Sequence, residues 1–308
     1  GRGWKASLNS QFGARRTTYT IDFRDPNFLD TDFSLLLSAY KTKVKYTDFE
    51  KESYGGRVGF GYNLSRLINA SVSFRDDFTK ILGISGTFPT QTVQDEIDKG
   101  LQNTRSVAFN VTRNSTDRHI DPSRGSIQSA TLEVAGGPLG GDSQFVKYFL
   151  NAKMYYPLPS STVVSWNLLW GHVIPTNDGW AGGEVPIFER FFLGGPYSVR
   201  GFRSRSLSPK DPNTGDLIGG NKELILNLEY LFPLVSEIGF KGVLFCDAGN
   251  SWVQGAWPAN DQGLWIGYGF GVRWYSPMGP LRFEWGWNLN RPEGEPKRVM
   301  EFTIGTPF

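Results

Sequence analysis

The sequence predicts an all-β protein, a single transmembrane antiparallel β-barrel spanning residues 1–308. Three observations predict it. Apolar and polar residues alternate in short runs from end to end, the period of a strand with two unlike faces. The runs are about nine to eleven residues long, enough for a tilted membrane crossing. The connections between them alternate in length, as the short turns and long loops at the two ends of a membrane barrel do.

Taken in order, the runs number fourteen. Residues 4–12 set Trp4, Ala6 and Leu8 against Lys5, Ser7, Asn9 and Gln11. Residues 17–24 repeat this with Tyr19, Ile21 and Phe23, and residues 33–41 with Phe33, Leu35, Leu37 and Ala39. Residues 54–63 oppose Val58, Phe60 and Tyr62 to Arg57, Gly59 and Gly61. Residues 69–76 carry Ala70, Val72 and Phe74, and residues 105–113 carry Val107, Phe109 and Val111. The pattern continues through Ala130, Leu132 and Val134, then from Val146 to Tyr156, then through Val164, Trp166, Leu168 and Trp170. After a long interruption, Leu224, Leu226, Leu228 and Tyr230 stand opposite Asn227 and Glu229, and a weaker run covers 240–248. Residues 264–275 alternate most clearly, with Leu264, Ile266, Tyr268, Phe270, Val272 and Trp274 facing away from Gly267, Gly269, Gly271 and Arg273. Leu281, Phe283, Trp285, Trp287 and Leu289 follow, and Met300, Phe302, Ile304, Thr306 and Phe308 close the series.

A soluble sandwich would also alternate. The apolar face here ends in aromatics such as Tyr156, Trp170, Tyr230 and Trp274, which suits a membrane girdle. The opposite face holds Arg, Lys, Glu, Asn and Gly, a poor soluble core but an ordinary barrel lumen. By this parity Phe283 faces lipid and Asn288 the lumen, so an arginine is expected to be tolerated better at 288 than at 283. No apolar stretch is long enough for a transmembrane helix. Lys and Arg total 32 against 30 Asp and Glu, so the charge balance implies no nucleic-acid partner. The single cysteine, Cys246, excludes an internal disulfide and falls on the lipid-facing parity. The opening Gly1-Arg2-Gly3-Trp4-Lys5 is no secretion signal, so the chain is expected to be part of a longer precursor.

The short connections are 25–31, 63–68, 119–125, 157–161, 232–238 and 276–280; the long ones are 42–53, 77–104, 136–144, 171–222, 249–263 and 290–297. Loop 171–222 far exceeds the usual ~4–6 residues. Phe188, Phe191, Phe192, Leu193, Tyr197, Val199 and Phe202 make it too apolar for a solvated tail. It is expected to fold back and pack on something.

Within it, Gly194-Gly195 followed by Val199-Arg200-Gly201-Phe202 resembles the inward-folded loop of the BamA-type outer-membrane assembly proteins. The resemblance continues through Ile218-Gly219-Gly220-Asn221, Leu228-Glu229-Tyr230, Phe245-Cys246-Asp247-Ala248-Gly249 and Tyr275-Ser276-Pro277-Met278-Gly279-Pro280-Leu281. It ends with Phe302-Thr303-Ile304-Gly305-Thr306-Pro307-Phe308. The resemblance implies a sixteen-stranded barrel of the bacterial outer membrane. Residues 4–12 would be the third strand, with the first hairpin and the preceding periplasmic domains absent from this chain. It implies that Glu229 and Asp247, both on lumen-facing parity, meet Arg200 as partners of a latch. It further implies a seam at the terminal strand, where Phe302, Ile304, Gly305, Pro307 and Phe308 lie. Gly305 lacks a side chain to pack and Pro307 lacks an amide donor, both local reasons for weak pairing.

The function implied is folding and insertion of β-barrel proteins through that lateral seam. Expected partners are unfolded barrel clients, lipoprotein subunits, periplasmic chaperones and outer-membrane lipid, with no cofactor. A partner-secretion translocator of the same superfamily, or a passive pore, is the alternative. The loop motif does not separate insertion from partner secretion. Catalysis finds little support. His119 lies beside Asp121-Pro122 in a turn and His172 at a strand end, neither at metal spacing. Gly136-Gly137-Pro138-Leu139-Gly140-Gly141 precedes a strand rather than a helix, which argues against a phosphate cradle.

Overall fold

The computed structural model describes residues 3–46, 49–83, 89–177, 183–256, 263–276 and 279–304. Among the described residues, fourteen strands form one sheet, each antiparallel to its neighbours in chain order. They are β1 (Lys5–Phe12), β2 (Arg16–Asp25), β3 (Phe33–Lys45), β4 (Phe49–Asn63), β5 (Ile68–Gly83), β6 (Leu101–Asn114) and β7 (Gly125–Ala135). Then come β8 (Phe145–Leu158), β9 (Thr162–Pro175), β10 (Lys222–Val235), β11 (Phe240–Trp252), β12 (Trp265–Ser276), β13 (Gly279–Asn288) and β14 (Arg298–Ile304). A helix, α1 (Gln91–Asp98), interrupts the β5–β6 connection; the Thr90 hydroxyl caps it by accepting the Val93 N–H at 3.1 Å.

Each predicted strand is present, but several are longer than expected. β4 has 15 residues and β5 has 16. The supposed loop 42–53 is mostly strand: β3 runs to Lys45 and β4 starts at Phe49. The charges there follow the same period of two as the apolar residues below them, and Lys43 bonds Glu52 across the ladder at 2.8 Å. The strands carry on past the apolar belt into polar surroundings, so hydropathy ended them too early. The long loop narrows from 171–222 to 176–221, because β9 runs on to Pro175 with an apolar inward residue, Val173, covered by the loop.

The register confirms the two faces. Along β10, Leu226, Leu228 and Tyr230 are exposed outward while Ile225, Asn227, Glu229 and Leu231 are buried. Phe283 is exposed and its neighbour Arg282 is 1% exposed. Outward aromatic pairs tie adjacent strands, including Phe283–Phe302 with ring centroids 4.7 Å apart. At the short-turn end, the turn between β6 and β7 reaches across to the far wall: Lys241 Nζ on β11 donates to Asp121 Oδ1 at 2.6 Å.

Candidate functional site

The site is the place where the long loop touches the wall. Gly194 and Gly195, at φ +111° and +96°, turn the chain. The Gly195 N–H bonds the Val199 carbonyl at 3.2 Å, and the Leu207 N–H bonds the Leu193 carbonyl at 2.9 Å. These contacts close the tip on itself and push Val199, Arg200 and Phe202 toward the lumen wall. Val199 and Phe202 are fully buried in an apolar cluster with Phe145, Val173, Phe191, Leu193, Leu207 and Ile225. Four of the apolar loop residues go here, Phe191, Leu193, Val199 and Phe202; Phe188 and Phe192 pack against a second cluster with Ile187, and Tyr197 stays exposed.

Arg200 is 1% exposed and makes five hydrogen bonds to three carboxylates. Its Nε and Nη2 donate to the two oxygens of Asp247 on β11 at 2.6 and 2.7 Å, and its backbone N–H adds a third bond at 3.0 Å. Nη1 donates to Glu229 on β10 at 2.7 Å and to Glu284 on β13 at 3.3 Å. The fork geometry sets orientation as well as position. Arg273 on β12 donates to Glu229 at 2.5 Å and to Glu284 at 2.8 Å, and Arg282 on β13 donates to Glu284 at 2.6 Å. Three guanidinium groups therefore meet three carboxylates, and the buried cluster is neutral as a whole. The Arg200 guanidinium also lies 3.9 Å from the Phe245 ring centroid. Burial would push its proton off, but Asp247 and Glu229 outweigh that and hold it charged.

The backbone of the loop lies directly on the wall. Gly201 has φ +89° and its carbonyl accepts from Asn288 Nδ2 at 2.9 Å. A Cβ at Gly267 on β12 would sit 1.9 Å from the Arg200 carbonyl oxygen. Glycine there makes room for a second backbone. Asn227 Nδ2 donates to the Ser198 carbonyl at 2.7 Å, extending an amide chain from Asn151 and Asn167. Asn288 is thus a lumen-facing loop contact, a role that parity alone did not show.

A second docking station sits on another part of the wall. Glu189 accepts from Arg75 on β5 at 3.0 Å and from Lys147 on β8 at 3.1 Å. Burial raises the Glu189 carboxyl, yet Lys147, Arg75 and Lys51 together hold it down at about 2. Beside it, Ile187 packs with Phe49, Ile81 and Val93 of β4, β5 and α1. Arg205 lies over the rings of Tyr46 and Phe192 at 3.9 and 3.8 Å. A third contact joins Arg203 to Glu295 in the β13–β14 connection at 2.7 Å. Burial raises the Glu295 carboxyl and the hydrogen bonds from Arg203 lower it more, leaving it below the usual carboxylate range.

The structure brings together Arg200, Glu229 and Asp247, and seats Val199, Gly201 and Phe202 around them. Phe302 and Ile304 stand apart on β14, exposed outward at 51% and 63%. Gly305, Pro307 and Phe308 lie outside the described residues. Glu284, Arg273, Arg282, Glu189, Arg75 and Glu295 escaped the sequence reading. The parity of Glu284 and Arg273 marked both as lumen charges, but nothing local marked them as partners.

A barrel wall of antiparallel strands with a long loop seated inside defines the class of protein. The Omp85 superfamily domain matches residues 1–308, and the chain belongs to that family. It is 31% identical over 310 residues to the outer membrane protein assembly factor BamA of Nitratidesulfovibrio vulgaris, covering 100% of this chain and 38% of that protein. It is 28% identical over 261 residues to the sorting and assembly machinery component 50 homolog of Mus musculus, covering 81% of this chain and 53% of that one. Among solved structures, BamA from Haemophilus ducreyi lacking POTRA domains 1-3 superposes with a TM-score of 0.83 at 18% identity, over 98% of this chain and 64% of that chain. The chain thus spans less than half the length of the bacterial relative. It is a β-barrel of the bacterial outer membrane.

Proposed function

We propose that this barrel folds and inserts β-barrel proteins into the outer membrane, with β14 as the edge on which an incoming strand pairs. The observation that carries the reading is the match of the Omp85 superfamily domain to the whole chain together with its inward loop seated by Arg200 on β10–β13, the wall that leads to β14. β14 pairs with β13 along Arg298–Ile304 and is the last strand of the sheet among the described residues. Unpaired strand edges are templates for strand addition, and lipid cannot satisfy their backbone groups. A client strand filling the edge gains hydrogen bonds and buries its apolar face in lipid, so no cofactor or nucleotide is needed. In the complete sixteen-stranded protein, one further hairpin would fill the gap between β14 and β1, and the seam would lie at its junction with β14. Clients arrive unfolded, delivered by periplasmic chaperones, and lipoprotein subunits assist, as the family resemblance implies; the name of the bacterial relative speaks only of outer membrane protein assembly.

The Arg200 cluster serves as a latch in this reading. It holds the loop against β10–β13 so that the wall next to the edge stays rigid while the edge moves. The Arg203–Glu295 contact adds a tie to the connection that leads into β14.

The test is made in the complete protein with Cys246→Ser. Thr303→Cys on β14 is paired with a cysteine on the facing residue of the closing strand, and client insertion into liposomes is followed before and after oxidation. A second cysteine pair across β8 and β9 controls for general stiffening. Oxidation of the seam pair alone should stop insertion, and reduction should restore it. Equal rates with the seam locked and unlocked would remove edge templating and favour passage through the lumen.

A further inference from the structure

We propose that the outward face of β3–β5, just beyond the apolar belt at the long-loop end, binds phosphate-bearing lipid headgroups through Lys41, Lys45 and Lys80. The inference rests on the barrel's placement in the membrane and not on its assembly activity.

The register builds the patch. On β3 the outward series Phe33, Leu35, Leu37 and Ala39 continues on the same face as Lys41, Lys43 and Lys45. On β4 the outward series Tyr62, Phe60 and Val58 continues through Gly56 to Tyr54, Glu52 and Glu50, and on β5 Val72 and Phe74 lead to Phe78 and Lys80. Lys41 stands between Tyr19 and Tyr54, Glu52 between Lys43 and Lys80, and Lys80 beside Leu101. These amines are therefore the next residues up from side chains that face lipid.

Their charge is only partly offset by the protein, since Glu50 faces Lys45 and Glu52 faces Lys80 across the ladder. Glu50 and Glu52 both contact the single amine of Lys43. Lys41, Lys45 and Lys80 are exposed and form no ion pair among the described residues. The patch carries Lys41, Lys43, Lys45 and Lys80 against Glu50 and Glu52, with Asp76 matched by Arg105, a surplus of two positive charges on neighbouring strands. A lysine there is a compact charge with three donors on a flexible stem, suited to a phosphate at the membrane surface.

A fully hydrated extension of the strands would also carry lysines, but here they are interleaved with apolar surface. Tyr19, Tyr54 and Leu101 are 44%, 46% and 49% exposed, and the Tyr54 and Phe78 rings stack at 5.3 Å. Exposed aromatic and aliphatic side chains alternating with amines match the boundary where acyl chains give way to headgroups. A free phosphate ion would use the amines and leave the rings and Leu101 in water. A headgroup lipid uses both, and for that reason it is the occupant.

The experiment uses the complete protein reconstituted in phosphatidylcholine nanodiscs doped with lipid A, then released gently into the gas phase for native mass spectrometry. The wild type should retain lipid A. The triple variant Lys41→Gln, Lys45→Gln, Lys80→Gln should retain several-fold less, while the same three positions changed to Arg should keep it. Changing Lys210 and Lys297 to Gln should have no effect. Heat-dependent gel mobility reports whether the triple variant is folded. If it is not, Lys41→Gln and Lys80→Gln alone should each lower retention partway. Equal retention by the glutamine variants and the wild type would overturn the proposal. Full displacement of lipid A by millimolar inorganic phosphate would overturn the lipid as occupant.

Discussion

The wall under the loop and the wall at the opposite edge of the sheet share one sequence pattern and differ in what covers them. On β10–β13 the lumen-facing side chains are buried: Glu229, Asp247, Arg273 and Glu284 are all under 8% exposed. Between β2 and β7 the lumen holds a cavity of about 740 Å³ whose lining includes the exposed Arg24 and Arg57. The alternation is equally regular in both regions. What separates them is the loop, whose tip seats on the first wall and whose shoulder reaches only as far as β4 and β5. Lumen charges in a membrane barrel are thus of two kinds. Those beneath the loop are desolvated and must be matched, while those facing open lumen remain hydrated and individually replaceable.

The largest expected effect tests that division directly. Arg200→Ala leaves Asp247, at 0% exposure, without its guanidinium. Removing one partner of such a cluster costs on the order of 3–5 kcal/mol, whereas Arg57→Ala on the open wall should stay within about 0.5 kcal/mol. Heat-dependent gel mobility and urea unfolding in micelles read both, and equal shifts would erase the distinction.

The next effect concerns the outer face, where the two regions should behave alike. Phe283→Arg on β13 and Phe60→Arg on β4 should each impair insertion by ~2–4 kcal/mol if their positions lie near the midplane. Insertion into liposomes measures it. A large penalty on one wall and none on the other would mean that the faces are misassigned on the tolerant wall.

A smaller effect compares backbone clearance. Gly267→Ala would drive a Cβ into the Arg200 carbonyl, while a Cβ at Gly59 on β4 meets its nearest atom at 3.5 Å. Overpacking of this kind costs about 1–3 kcal/mol, so Gly267→Ala should increase protease cleavage within 176–221 and Gly59→Ala should not. Equal cleavage in both variants would mean the loop does not rest on the wall.

The smallest effect separates the two docking stations. The Glu189 carboxyl is held below its ordinary value, so its contribution is present at neutral pH and is lost as pH falls from the ordinary range near 4.5 toward about 2. Glu189→Gln should mimic the loss at pH 7 by on the order of 1–2 kcal/mol, since Arg75 still holds Glu133 at 2.7 Å. Hydrogen exchange over 185–192 should rise with the variant while exchange at 198–202 stays unchanged. A coupled rise at both would make the loop one cooperative unit.

The sequence by itself determined the strand count, the two faces and the lumen-facing parity of Glu229 and Asp247. Strand alternation is local: each residue's side follows from its neighbour's, so Phe283 and Arg282 could be assigned without coordinates. The Arg200 partners came from resemblance, and parity agreed with it. The sequence misjudged where strands end, because Lys43 and Glu52 pair across a ladder that hydropathy cannot see. The tertiary structure alone decided which lumen charges matter. Glu284 is 84 residues from Arg200 and Glu189 is 114 from Arg75. No periodicity links such positions; they meet because the sheet curls and the loop crosses the lumen. Asn288 and Gly267 make the same point from the other side. Along their strands they are an ordinary polar residue and an ordinary glycine. Only the backbone of a distant loop, laid against them, gives one a carbonyl to hold and leaves the other no space for a side chain.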